Sequence, residues 1–144
     1  MAGRVGLGVG VRGRVLTAGV AEGAALLLDE PLSFWGGVDP GSGEIIDARH
    51  PQRGAKVSGR VLVMASVRGS SSSSSVLAET VRAGCAPAAI LLGEADLILA
   101  VGAAVAEELY GIRVPIVQLL PRELAIIPEG ASVSVGEGGE VSVQ

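Results

Sequence analysis

The stretch "KVSGRVLVMASVRGSSSSSSVLAETVRAG", Lys56 to Gly84, decides how the chain is read. Its first part, Lys56–Ser66, has Val57, Val61 and Val63 as β-branched residues and predicts a strand. Its last part, "VLAETVRAG", brings Val76, Leu77 and Val81 near one helical face, with Gly84 as the expected C-terminal cap. Between them lies an Arg-Gly pair and a run of serines, Ser70 to Ser75. Two readings of that run stand. It is a polar turn whose last serines cap the helix. Or it is an anion cradle, because loop N–H groups and a helix N-terminus converge after a buried strand.

The flanking segments extend the pattern. "AAILLGE" (Ala88–Glu94) and "VPIVQL" (Val114–Leu119) read as short buried strands. "AVGAAVAEELYG" (Ala100–Gly111) reads as a helix stopped by Gly111. Upstream, Gly13–Gly19 and Gly23–Pro31 are brief β-like runs bounded by Gly and Pro. Ser33 to Gly54 is rich in Gly, Pro and Asp, and only "EIID" inside it could be strand. A loop this long in a compact domain is usually functional or a partner contact. The tail, "ASVSV" and "EVSVQ", alternates with period two and predicts a hairpin across "GEGG". The sum is one mixed α/β layered domain over 1–144, with loose ends expected at about 1–12 and 136–144.

Composition narrows the function. The 144 residues are 49% hydrophobic and 18% charged, which excludes a disordered chain. Phe34, Trp35 and Tyr110 are the only aromatics, so the stacking platforms of single-strand nucleic-acid binders are missing. The net charge of −4 argues against a phosphate-backbone binder. Cys85, the only cysteine, makes no internal disulfide and holds no metal cluster alone; it reads as a small buried hydrophobe. The N-terminus lacks the apolar core of a signal peptide, and "LILAVGAAVA" is too short to span a bilayer. A cytoplasmic chain is expected, with neither nucleic acid nor membrane as partner.

Other candidate chemistry is sparse. "GLGVGVRG" (Gly6–Gly13) lacks the strand–turn–helix context of a dinucleotide fingerprint. The serine run is not a nucleophile elbow. Asp39, Asp47 and His50 form either a polar cluster at a site edge or ordinary turn chemistry. Their spacing matches no metal-ligand pattern. Glu107 and Glu108 read as a solvated helix face.

Taken in order, "FWGGVDPGSGEIIDARHPQRGAKVSGRVLVMASVRGSSSSSSVLAE" and "AVAEELYGIRVPIV" resemble the aconitase X family, in its small subunit, the counterpart of the aconitase swivel domain. The likeness runs from about Gly13 to Leu119. It implies a swivelling β/β/α domain that pairs with a large subunit. That subunit is expected to carry an iron–sulfur cluster, with no cofactor held by this chain. The implied activity is a hydro-lyase acting on a small phosphorylated hydroxy acid: (R)-5-phosphomevalonate to trans-anhydromevalonate 5-phosphate. Dehydration of cis-3-hydroxyproline is the alternative. From another class, a non-catalytic assembly module with the serines as spacer remains.

The resemblance also implies site residues. The family's proton-abstracting serine falls on Ser70, or on Ser71 if the register shifts by one. Arg68, Gly69, Ser71, Ser72, Asp39 and His50 are the expected substrate-binding residues. The family's arginine two residues after the serine is replaced here by Ser72, and Arg68 is the candidate substitute.

Overall fold

A computed structural model describes residues 9–144. The Gly6–Gly8 part of the glycine-rich segment, and the N-terminal residues before it, lie outside the described residues. In chain order come β1 (Val9–Arg12), β2 (Arg14–Thr17), β3 (Ala21–Leu27), the broken turn α1 (Phe34–Gly37), β4 (Val61–Met64) and α2 (Ser73–Arg82). Then follow β5 (Ala89–Leu92), α3 (Leu97–Tyr110), β6 (Ile116–Gln118), α4 (Pro121–Leu124), β7 (Ser132–Val135) and β8 (Glu140–Val143).

The eight strands form one sheet in the order β1-β8-β7-β3-β4-β5-β6-β2. β3, β4, β5 and β6 are parallel, and the flanking pairs are antiparallel. The two outermost strands, β1 and β2, are consecutive in the chain, so the sheet curls almost into a barrel. Gly13 makes the passage between them. A side chain there would stand 2.5 Å from the Gln118 carbonyl oxygen, so only glycine fits. Its N–H donates to the Gly139 carbonyl at 2.9 Å.

Strand alternation divides the core into two. Leu62 and Met64 join Leu26, Ile90, Leu92 and Ile116 beneath α2 and α3. Val61 and Val63 point the other way, among Ala89, Leu91, Val117 and the valines of β7 and β8. All four residues of β4 are therefore buried, the burial of a parallel strand covered on both faces. With three aromatics available, this packing is carried by Val, Leu, Ile and Ala, plus Phe34 at the start of α1.

Several expectations need correction. The strand expected over Lys56–Ser66 is only Val61–Met64; Lys56 makes an isolated bridge with Glu44, and a turn follows. "EIID" forms no strand, only bridges at Glu44 and Ile45. α3 begins at Leu97, three residues before Ala100, because the Asp96 carboxylate accepts the Leu99 N–H at 2.8 Å and caps it there. β1 and β8 lie within the ends expected to be loose, yet they pair with each other, and Val141 and Val143 are buried. The hairpin across Gly136–Gly139 and the stop at left-handed Gly111 are present as expected. Among the described residues, no helix is long and apolar enough to cross a membrane.

Leu62 is fully buried at the centre of this arrangement. Leu62→Ala is expected to destabilise the domain by about 3 kcal/mol, read as a lowered urea midpoint. A change within about 0.5 kcal/mol would mean that the two-sided core does not carry the fold.

Candidate active site

Three loops meet at the carboxyl ends of β3, β4 and β5, the edge where open α/β sheets bind ligands. The first two are zipped together. Leu32 and Val67 form a parallel bridge, and the Arg68 N–H donates to the Leu32 carbonyl at 3.3 Å. The third is pressed against them. The Gly93 N–H donates to the Met64 carbonyl at 3.2 Å. A side chain on Gly93 would stand 2.6 Å from the Ala65 carbonyl oxygen.

The serine run is not one loop. Ser70–Ser72 lead into α2, while Ser73–Ser75 form its first turn. Ser73 is buried, and its hydroxyl oxygen accepts the Trp35 N–H at 3.2 Å. Ser33 Oγ lies 3.4 Å from Ser73 Oγ and donates to the Trp35 carbonyl at 3.0 Å. Ser73 thus fastens α1 to the start of α2. Ser72 occupies the capping position, but its side chain makes no capping bond, contrary to the expected role of the later serines. Ser74 Oγ donates instead to the Ser71 carbonyl at 3.1 Å.

Ser70 is half-buried, and its hydroxyl oxygen accepts the Ser72 N–H at 3.3 Å. Its carbonyl accepts the Ser73 N–H at 3.0 Å. Ser71 and Ser72 are exposed. Gly69 is exposed and borders open space, so the backbone there is approachable. Arg68 is exposed, and among the described residues its guanidinium makes no ion pair, whereas Arg60, Arg82 and Arg113 are each held by glutamate. The cluster therefore presents a cation, two free hydroxyls and the positive end of α2.

Asp39 lies apart from that cluster, whereas His50 contacts Glu30 in the β3 loop that is zipped to it. The turn after Asp39 rests near the C-terminal end of α2, for Cys85, three residues beyond Arg82, donates its Sγ–H to the Pro40 carbonyl at 3.3 Å. The ten residues of α2, about 15 Å long, separate it from the serine loop. Asp39 Oδ1 accepts the Gly41 N–H at 2.9 Å, a turn contact. His50 is buried with both ring nitrogens engaged. Nδ1 accepts the Gln52 N–H at 3.0 Å, which leaves Nε2–H to donate to the Glu30 carbonyl at 2.9 Å. Asp47 likewise accepts the Arg49 N–H at 3.0 Å. All three therefore make turn-type contacts within the chain. The structure also puts Ser33 and the exposed Trp35 beside the serine loop. Their position inside a Gly-rich segment gives no periodic signal for this.

This chain's side chains do not form a cluster-binding set. Iron–sulfur clusters are held mainly by several cysteine thiolates. Cys85 stands alone at the far end of α2. Burial and the nearby Asp39 carboxylate raise its thiol above the usual range, the opposite of what a thiolate ligand needs. Among the described residues, no three His, Cys, Asp or Glu side chains gather as a metal site.

Gly102 sets where α2 starts relative to α3. A side chain there would stand 2.6 Å from the Ser74 carbonyl oxygen, so the two helices touch backbone to backbone. Gly102→Ala is expected to displace the first turn of α2 and cost about 1–3 kcal/mol in a thermal melt. Ala104→Ser, on the exposed side of the same helix, should leave the melting temperature within error. Equal melting of both variants would refute this close contact.

Comparison with known proteins places these features in a group. A family model described as the aconitase X swivel domain matches residues 10–143. The cis-3-hydroxy-L-proline dehydratase of Pseudomonas aeruginosa is 54% identical over 117 residues, 80% of this chain and 20% of that protein. The phosphomevalonate dehydratase small subunit of Pyrococcus furiosus is 37% identical over 92% of this chain and 94% of its own length. The crystal structure of Thermococcus kodakaraensis aconitase X in its holo-form superposes with a TM-score of 0.84 at 34% identity, covering 94% of this chain and 98% of that one. The chain spans about one fifth of the length of the hydroxyproline dehydratase relatives it matches.

Proposed function

Because the chain belongs to the aconitase X swivel-domain family, we propose that it is the small subunit of a dehydratase that removes water from (R)-5-phosphomevalonate, giving trans-anhydromevalonate 5-phosphate. The observation that carries this reading is the Ser70 loop: a hydroxyl at a helix start, on the carboxyl edge of four parallel strands, beside an arginine with no ion pair among the described residues. The relatives named phosphomevalonate dehydratase small subunit support the choice of substrate.

In this reading Ser70 Oγ takes the proton from the carbon next to the carboxylate. The C–H electron pair becomes the new double bond as the hydroxyl departs as hydroxide, which takes a proton from solvent to become water, and Ser70 then returns its proton to solvent. A serine hydroxyl is a very weak acid, so its alkoxide needs donors and a favourable field already in place. The Ser72 N–H, directed at Ser70 Oγ, and the N-terminal end of α2 provide both. Arg68 binds an anionic group of the substrate, and open Gly69 lets that group approach the backbone. Ser71 and Ser72 offer the remaining hydroxyl donors.

We assign the iron–sulfur cluster, and the assistance to the departing hydroxyl, to the large subunit, so neither chain is active alone. The complex belongs in the cytoplasm, where lone thiols stay reduced. Dehydration of cis-3-hydroxy-L-proline is a second reading, favoured by the 54% identity of the Pseudomonas relative.

The test is turnover of both substrates by the chain reconstituted with its large subunit. Ser70→Ala is expected to lower kcat by about 10²–10⁴-fold without loss of assembly. Arg68→Ala is expected to raise KM about tenfold or more. Turnover of hydroxyproline alone would transfer the assignment to the second reading. Full activity in Ser70→Ala and in Ser71→Ala would reduce the chain to a non-catalytic assembly module.

A further inference from the structure

α3 is apolar on nearly every side. Leu99, Gly102, Ala103 and Ala106 are buried against the sheet and α2. On the outer side Leu97, Val101, Val105 and Leu109 recur every four residues and are 73%, 54%, 42% and 63% exposed. A helix that is apolar all round is normally covered all round. An exposed apolar row of this kind marks an interaction surface. From Leu97 to Ala106 it carries no charged residue. The first charges are Glu107, held by Arg113 at 3.1 Å, and Glu108.

The row runs into the serine loop. Ser71 and Ser74 line one shallow groove of about 270 Å³ with Leu97, Ile98 and Val101. Whatever closes over the open side of the loop therefore also lies over the first turns of α3.

We propose that the outer face of α3 is the docking surface for the large subunit, an inference that rests on the dehydratase reading above. Two observations identify the occupant. The Pseudomonas relative matches this chain over one fifth of its own length, so there the equivalent domain shares a polypeptide with four times as much protein. The row also adjoins the serine loop, so a body that supplies the rest of the site meets Ser71, next to Ser70, across Leu97 and Val101. A second copy of this chain would cover the row but would bring no group that completes the site. The uncharged face calls for an apolar patch on the partner.

The experiment measures the affinity of the large subunit for the wild-type chain, for Val101→Glu/Val105→Glu and for Ser70→Ala, with melting temperature and sedimentation of each chain alone. The double variant is expected to bind at least about 30-fold more weakly with an unchanged melting temperature. Ser70→Ala is expected to bind as wild type. Wild-type affinity in the double variant overturns the docking proposal. The dehydratase reading is judged separately, by the turnover of Ser70→Ala. An isolated dimer that the double variant splits, with affinity for the large subunit unchanged, assigns the face to a second copy and also overturns the proposal. If the double variant melts early, Leu97→Ser at the most exposed position replaces it, with about fivefold weaker binding expected and unchanged binding overturning the proposal.

Discussion

The whole arrangement depends on the burial of the parallel strands on both faces. All four residues of Val61–Met64 are buried, so one cover must lie above the strand and another below. The helices supply the first and the curled antiparallel strands the second. Each buried aliphatic side chain contributes about 1.5–3 kcal/mol, and no polar face competes for solvent. β4 can end only where the chain turns back toward α2. That end is where the serine loop begins. The site is thus placed by core packing before any of its polar contacts form.

Two close backbone approaches then hold the loop. Gly93 brings the β5–α3 connection against Ala65, and Gly102 brings α3 against Ser74. Buried Ser73 adds a polar tie to Trp35. The hydroxyls of Ser71 and Ser72 are left unfastened by comparison, and a loop meant to meet a substrate needs free hydroxyls there. One run of identical residues therefore divides into an open part and a structural part, according to which side of the helix start each residue occupies.

Much of this was legible in order along the chain. The buried strands around Ile90 and Val117, the helix stop at Gly111 and the closing hairpin all follow from short-range pattern. The serine loop was legible as a strand-to-helix connection. For Asp39 and His50 turn chemistry and site chemistry use the same residue types, so the sequence left both readings open. In the structure their polar atoms meet Gly41, Gln52 and Glu30. The strand at Val9–Arg12 was missed because its pairing is with Glu140–Val143, at the opposite end of the chain.

By itself the sequence determined the alternation of elements, the aliphatic core and the position of the serines between a strand and a helix. These depend on residue periodicity and on glycine and aspartate caps, which act over a few neighbours. Tertiary structure alone decided that β1 and β2 sit at opposite edges of one curled sheet and that Trp35 reaches Ser73. It also decided that the serine run breaks at Ser72, that Asp39 lies a helix length from Ser70, and that the outer row of α3 stays bare. Each of these is set by contacts between segments far apart in the chain, where close packing and hydrogen-bond partnership choose among local conformations that the residues permit equally.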